Sequence, residues 1–342
     1  MVRYLFMLAT ITFSTVLHSQ TLKKFFDSNS KKYGFKDSTG NVVIPAQYDG
    51  VEDFGEDNYT MIVIGSNWYG GKKGVINKKG KQIIPAQYTF VQSMGYNLFA
   101  VYKGGYHSNK EPLYGGKYAI FNSSGKALTG FLYEKVRPFT EGFSVLETYD
   151  KTTKVSRFGM MDSTGKVVLP LEYSGIGDFE NGIAFVGKND KGGKINKSLK
   201  IVVPIKYEQL GSLLEGLIMA KLNGKYGFIN ASGATVIPFN YEEASGFYDG
   251  LSAVRQNNKW GFIDKAGKQI IAFKYDEAKD FEEGVAGVKL NGKWGVIDKA
   301  GEVVHDFIYE EVIWAKKGGN LVRIKKGNQY LNINREGKEV KN

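Results

Sequence analysis

The sequence predicts an all-β protein, a tandem array of about nine three-stranded β-meanders in an open, curved solenoid. Three observations carry that prediction. A short motif occurs nine times along the chain, two of the copies degenerate; turn-forming residues punctuate most copies at the same offsets; and the stretches between them are short and rich in β-branched and aromatic residues. Composition agrees, since 43 Gly, 21 Tyr and 22 Phe in 342 residues exclude a disordered chain. The absence of Cys excludes disulfides, thiolate nucleophiles and cysteine-ligated metals, and three His leave little for imidazole chemistry.

Residues 1–19 read as a secretory signal peptide. Arg3 precedes an apolar run from Tyr4 to Leu17, and small or polar residues surround Ser19, after which cleavage is expected. That run is too short for a bilayer anchor, and no later stretch is apolar enough to span a membrane. Residues 20–342 form the array, with a long-loop half at 20–190 and a regular half at 191–342. The formal charge of +11 is dispersed in turns, so it reads as a solvated surface rather than a nucleic-acid stripe.

The clearest unit is Lys259–Ile271, KWGFIDKAGKQII, which returns as KWGVIDKAGEVV from Lys293 and KYGFINASGATVI from Lys225. Its glycine slot holds Gly34, Gly74, Ala119, Gly159, Gly193, Gly227, Gly261, Gly295 and Leu331, at spacings of 40, 45, 40, 34, 34, 34, 34 and 36. The pattern resembles the WG-repeat family, tandem arrays of bacterial proteins named for the dipeptide seen here as Trp260-Gly261 and Trp294-Gly295. That resemblance implies a β-rich scaffold without a shared chemistry. The dipeptide is lost at Ala119, Gly192 and Leu331, so those repeats are expected to be irregular.

Within one unit, Trp260 to Ile263, Gln269 to Tyr275 and Val285 to Leu290 read as strands. The Asp264–Gly267 link suits a tight turn, and its first position carries Asp37, Asn77, Asn122, Asp162, Asn196, Asn230, Asp264, Asp298 or Asn334. Asp and Asn alternate freely there. A metal ligand or general acid needs the charge, whereas a turn needs only the oxygen, so this series is structural. Pro then marks the second strand in several copies, with Tyr three residues later, as in Pro238 and Tyr241. Next comes F-x-E/D-G, at Phe247–Gly250 and Phe281–Gly284, read as a turn on a buried Phe rather than an ion site. Asn223-Gly224 and Asn291-Gly292 are hairpin signals leading into the next WG strand. Leu22 to Phe26 offers a third strand ahead of the first unit, a feature that would suit a closed, propeller-like ring instead of an open solenoid.

The expected function is that of an exported, non-enzymatic scaffold binding a protein or peptide, with a glycan or cell-wall module as the alternative. No cofactor and no nucleic acid is expected. Additional residues in the first half gather before the WG slot, in Ser66–Lys73, Lys103–Lys117 and Tyr149–Arg157. Equivalent loops of a repeat array share an edge, which makes Trp68, Tyr69, Tyr102, Tyr106, His107, Tyr114 and Tyr149 the candidate ligand-binding residues. His107 has no nearby His or Cys and reads as a solvated loop residue, whereas His305 sits in a strand and reads as packing. A hydrolase would have to use acids outside the turn series, such as Glu111 or Glu147.

Overall fold

The computed structural model describes residues 21–106, 113–314, 321–327, 329–334 and 340, and their regular structure is entirely strand. Residues 1–19, where a signal peptide is expected, and His107 and Glu111 lie outside the described residues. Nine small antiparallel sheets of three or four strands follow one another along the chain. They divide between two compact units, one running to Val136 together with Ser163–Lys166, the other made of Arg137–Asp162 and the chain from Val167 onward.

The sheet that contains Trp260 shows the plan. A two-residue edge strand, Glu243–Ala244, pairs with Leu251–Gln256, which pairs with the WG strand Lys259–Asp264, which pairs with Gln269–Tyr275. Two residues are too few to leave an alternating pattern in the sequence, which is why three strands rather than four are legible there. After Tyr275 the chain leaves for the next sheet, so Val285–Leu290 pairs with the following WG strand, Lys293–Asp298, in the register Leu290↔Lys293. The Asn291-Gly292 hairpin makes that link with φ of 51° and 77°, the left-handed pair that a two-residue turn requires. Lys23–Asp27 likewise pairs with Lys32–Lys36, as the Leu22–Phe26 stretch predicts.

Apolar faces meet between consecutive sheets. In the second unit, Phe262, Ile271 and Tyr275 of one sheet pack with Phe281, Val288 and Ile297 of the next. Phe262 and Phe281 meet edge-on at 4.8 Å, and Phe228 with Phe247 repeats that contact at 4.8 Å one sheet earlier. In the first unit Phe35 and Phe54 do the same at 4.7 Å. Phe247 and Phe281 are thus anchors between sheets, and both are buried, as is Phe179, where Asn181 replaces the acid of the motif.

The D/N-x-x-G turns behave as oxygen acceptors. Asp264 Oδ1 accepts the backbone N–H of Ala266 and of Lys268, both at 2.9 Å, and Asn230 Oδ1 accepts those of Ser232 and Ala234, both at 3.0 Å. Asp264→Asn is therefore expected to change stability by less than about 0.5 kcal/mol. Asp264→Ala should cost about 1 kcal/mol through two lost acceptors. Urea midpoints check both, and an Asn variant as damaged as the Ala variant would contradict the assignment.

A second recurring device ties the opposite ends of the sheets. Lys259 reaches Asp276 at 2.6 Å, and the other oxygen of Asp276 accepts the Gly292 N–H of the next hairpin at 3.3 Å. Lys191 with Glu208 and Gly224, and Lys293 with Glu310 and Gly327, repeat it. The Lys259 ammonium and the Gly292 N–H hold the Asp276 carboxyl below the usual range.

His305 occupies the strand slot that holds Ile271 and Ile237 in neighbouring repeats, and it is buried there as packing. Its Nε2 lies 3.2 Å from the Asn334 carbonyl, to which it donates when that nitrogen carries the proton. Burial pushes its pKa down, partly offset by the Asn334 carbonyl and by Asp306. A lowered folded pKa means that the unfolded chain takes up protons first as pH falls through about 6.5. Stability should therefore drop from pH 7 to pH 5, and His305→Ile should flatten that part of the pH profile of the urea midpoint. An unchanged slope would place the titration elsewhere.

Candidate functional site

The long loops fall where the repeat alignment places them, between the strand that leads into each WG strand and the WG strand itself. Ile64 pairs with Lys72 around the first, Tyr106 with Tyr114 around the second, and Asp150 with Val155 around the third. The first two belong to one compact unit and the third to the other.

Their aromatic residues divide by environment. Tyr102 is 3% exposed, its hydroxyl accepts the Gly116 N–H at 2.7 Å, and its ring tilts against Tyr118 at 4.7 Å. It is a packing residue and leaves the candidate set. Trp68 is half-buried against the core cluster around Tyr88 and Phe99. Tyr69, Tyr106, Tyr114 and Tyr149 are exposed, and Tyr106 and Tyr114 form a ring pair at 6.0 Å. Lys73, in the aromatic slot before Gly74, is fully buried and donates to the carbonyls of Tyr69 and Gly71 at 3.2 and 2.9 Å. Burial lowers its pKa. That buried ammonium pins the first long loop, a role invisible in a sequence where Lys is usually solvated.

A larger concavity lies in the second unit, where turns of three consecutive repeats come together. Leu214 and Glu215, Ser245 and Phe247 to Asp249, and Ala278 to Glu283 line a cavity of about 890 Å³ with Trp260 in its wall. Phe247 and Phe281 form its apolar part, and Tyr248, 40% exposed, stands at its mouth. Five carboxylates line it, from Glu215, Asp249, Asp280, Glu282 and Glu283, against the single ammonium of Lys279. Burial raises the Asp280 pKa, partly offset by the Ser245 hydroxyl. The Lys265 ammonium, with the Gly250 N–H, holds Glu215 low.

The F-x-E/D-G acids have a defined job here. Glu215, Asp249 and Glu283 stand at positive φ of 47°, 53° and 51° at the tips of their turns. Asp249 Oδ2 accepts the Gly284 N–H of the next repeat at 2.6 Å, and Glu215 accepts the Gly250 N–H at 3.1 and 3.2 Å. Turn is thus linked to turn across a whole repeat, which brings residues 34 apart to one rim. Among the described residues no three His, Cys, Asp or Glu side chains are grouped so as to hold a metal ion, and no helix is long and apolar enough to cross a membrane.

No curated protein matches the chain. Among solved structures it is similar to a eukaryotic initiation factor, at 9% identity and TM-score 0.39, covering 93% of this chain and 94% of that one. It is also similar to the extracellular domain of a hybrid two component system from B. thetaiotaomicron, at 10% identity and TM-score 0.29, covering 93% of this chain and 48% of that one. Kluyvelomyces marxianus Hsv2 matches at 9% identity and TM-score 0.33, over 69% and 88% of the two chains. These scores are too low to define a shared shape. The family model for the WG containing repeat matches residues 33–68, 74–106, 158–191, 193–226, 226–260, 260–294 and 294–330. It passes over the third repeat, where Ala119 replaces the glycine and Ala127 and Tyr133 meet the WG-slot strand only through isolated bridges. With well over half of its length matched, the chain belongs to the WG-repeat family.

Proposed function

We propose that the protein is an exported, non-enzymatic scaffold that binds a protein or peptide partner through its second unit. The observation that carries this reading is the cavity shared by three consecutive turns, with Trp260, Phe247, Tyr248 and Phe281 beside five carboxylates. On a chain of formal charge +11, such an acidic, aromatic-walled surface favours a basic segment, because Lys and Arg side chains pair with carboxylates and stack on aromatic faces. A panel of labelled peptides read by fluorescence anisotropy tests it. Lys- or Arg-containing peptides should bind with affinity that falls with salt, and Asp280→Asn with Glu282→Gln should weaken them at least about tenfold. Equal binding of acidic peptides, or none at all, would sink the proposal. Export is supported by the leader pattern at residues 1–19. Protein recovered outside the cytoplasm should begin at Gln20, and an intact Met1 terminus would overturn it.

A second reading, a glycan or cell-wall module, is favoured by the exposed Tyr106 and Tyr114 rings, 48% and 68% accessible. Retention on insoluble polysaccharide or sacculi that disappears in Tyr106→Ala with Tyr114→Ala would support it. No retention would remove it.

A further inference from the structure

The nine copies of the repeat act as controls for one another, and one slot stands out. The residue after the WG slot is Phe35, Val75, Ile120, Met160, Phe228, Phe262 or Val296 in seven of the other eight copies, each at most 2% exposed, and Asn332 in the last. In the copy at Lys191–Asn196 it is Lys194. The phenylalanine that should meet it from the next sheet, as Phe247 meets Phe228, is replaced by Leu213. The aromatic before the glycine is replaced as well, by Gly192, and the Phe185 ring occupies the space that its Cβ would enter, at 2.6 Å.

Loss of the interlocking pair leaves a cavity of about 340 Å³ lined by Lys194, Leu213, Phe185, Leu210, Asp178 and Glu180, among others. Ligand sites of small molecules begin at about this size. Asp178 is engaged by Arg137 at 3.5 Å. Among the described residues nothing is within ion-pair or hydrogen-bond distance of the Lys194 ammonium or the Glu180 carboxylate, although the two attract each other through space. Burial lowers the Lys194 pKa, as expected for an ammonium short of acceptors. One small cavity thus presents one cation and one anion, each lacking a close partner. A packing role would have kept the apolar residue that seven of the other eight copies carry.

We propose that this cavity binds a small zwitterion of the free α-amino-acid class, the ligand carboxylate meeting the Lys194 ammonium and the ligand ammonium meeting the Glu180 carboxylate. The site is separate from the partner-binding cavity and stands whether or not that reading holds.

Isothermal titration of the full protein with each common α-amino acid tests it, with propionate and ethylamine as single-charge probes. At least one amino acid should bind with a Kd of about 1 mM or tighter. Lys194→Met and Glu180→Gln should each weaken it at least about tenfold, since each removes a charge-assisted contact. Lys194→Met should fold, because Met160 fills the same slot fully buried in another copy, and its urea midpoint should match or exceed the parent's. Glu180 is exposed on a turn, so its variant separates loss of binding from loss of fold. Absence of binding at about 10 mM, propionate binding as tightly as the amino acid, or unchanged binding in both variants would each overturn the proposal.

Discussion

Gly261→Ala is expected to destabilise the second unit by about 3 kcal/mol, near the upper end of overpacking costs, and to lower its urea midpoint accordingly. The reason lies in the neighbouring strand. Trp260 pairs with Tyr275 and Phe262 with Ile271, so Gly261 alone faces the three residues Ala272 to Lys274. The bulge drives that backbone inward, and a Cβ on Gly261 would stand 2.6 Å from the Ile271 carbonyl oxygen, 2.9 Å from the Phe273 ring and 3.0 Å from the Phe273 nitrogen. A flexible side chain could swing away, but a ladder carbonyl can move only by breaking its pairing. The same carbonyl stands 2.5 Å away at Gly34 and Gly74, 2.7 Å at Gly227 and 2.8 Å at Gly295. Gly292→Ala is the control. Its Cβ would meet nothing within 4 Å, so it should cost only about 1 kcal/mol for its positive φ of 77°. Equal losses at the two sites would show that conformational preference, not the bulge, selects glycine at the WG slot.

How far the sequence could be read follows from where each cause is written. The Asp264 turn is legible because its requirement, an oxygen at one position and glycine three later, is satisfied within four residues. The WG glycine is visible as a pattern, but its cause lies in a carbonyl ten positions on, whose approach depends on a bulge. Ala119 confirms the logic. Only isolated bridges join its strand to Ala127 and Tyr133, and the Thr129 hydroxyl, rather than a ladder carbonyl, accepts the Ile120 N–H at 2.9 Å. The Lys259 to Asp276 link, at a spacing that recurs in Lys191 with Glu208 and Lys293 with Glu310, is written plainly in the sequence but carries meaning only once the hairpin N–H is seen between them.

The candidate site is less legible for two different reasons. Tyr102, Tyr106 and Tyr114 belong to one face of one hairpin, since Tyr102 pairs with Tyr118 and Tyr106 with Tyr114. What separates the buried Tyr102 from the exposed Tyr106 is four residues of extension, about 13 Å, beyond the edge of the sheet packing. Periodicity assigns faces but does not say where a neighbouring sheet ends. The acidic cavity fails to show for the opposite reason. Its carboxylates come from three turns that look identical and ordinary one at a time, and only the stacking of repeats sums their charge. Lys194, by contrast, is detectable by aligning the copies, because a single ammonium stands in a column that is otherwise apolar except for Asn332.

Phe262→Ala is the second large effect, expected at about 4 kcal/mol. Phe262 is fully buried, meets Phe281 at 4.8 Å with planes at 66°, and belongs to a cluster drawn from two consecutive sheets. Truncation removes the buried ring and leaves a void that the flanking strands cannot close, because both are held by their own ladders. Phe281 then loses its edge contact as well, so Phe281→Ala in the same background should cost less than it does alone, by about 1 kcal/mol. The damage should also be local. In a stacked array each sheet is stabilised chiefly by its immediate neighbours, so amide exchange should accelerate first in Gln269–Tyr275 and Val285–Leu290, while Lys72–Asn77 in the other compact unit keeps its protection. Uniform acceleration across both units would instead show that the chain unfolds as one cooperative body. Additive losses at Phe262 and Phe281 would show that the ring contact between sheets contributes nothing beyond the area each ring buries.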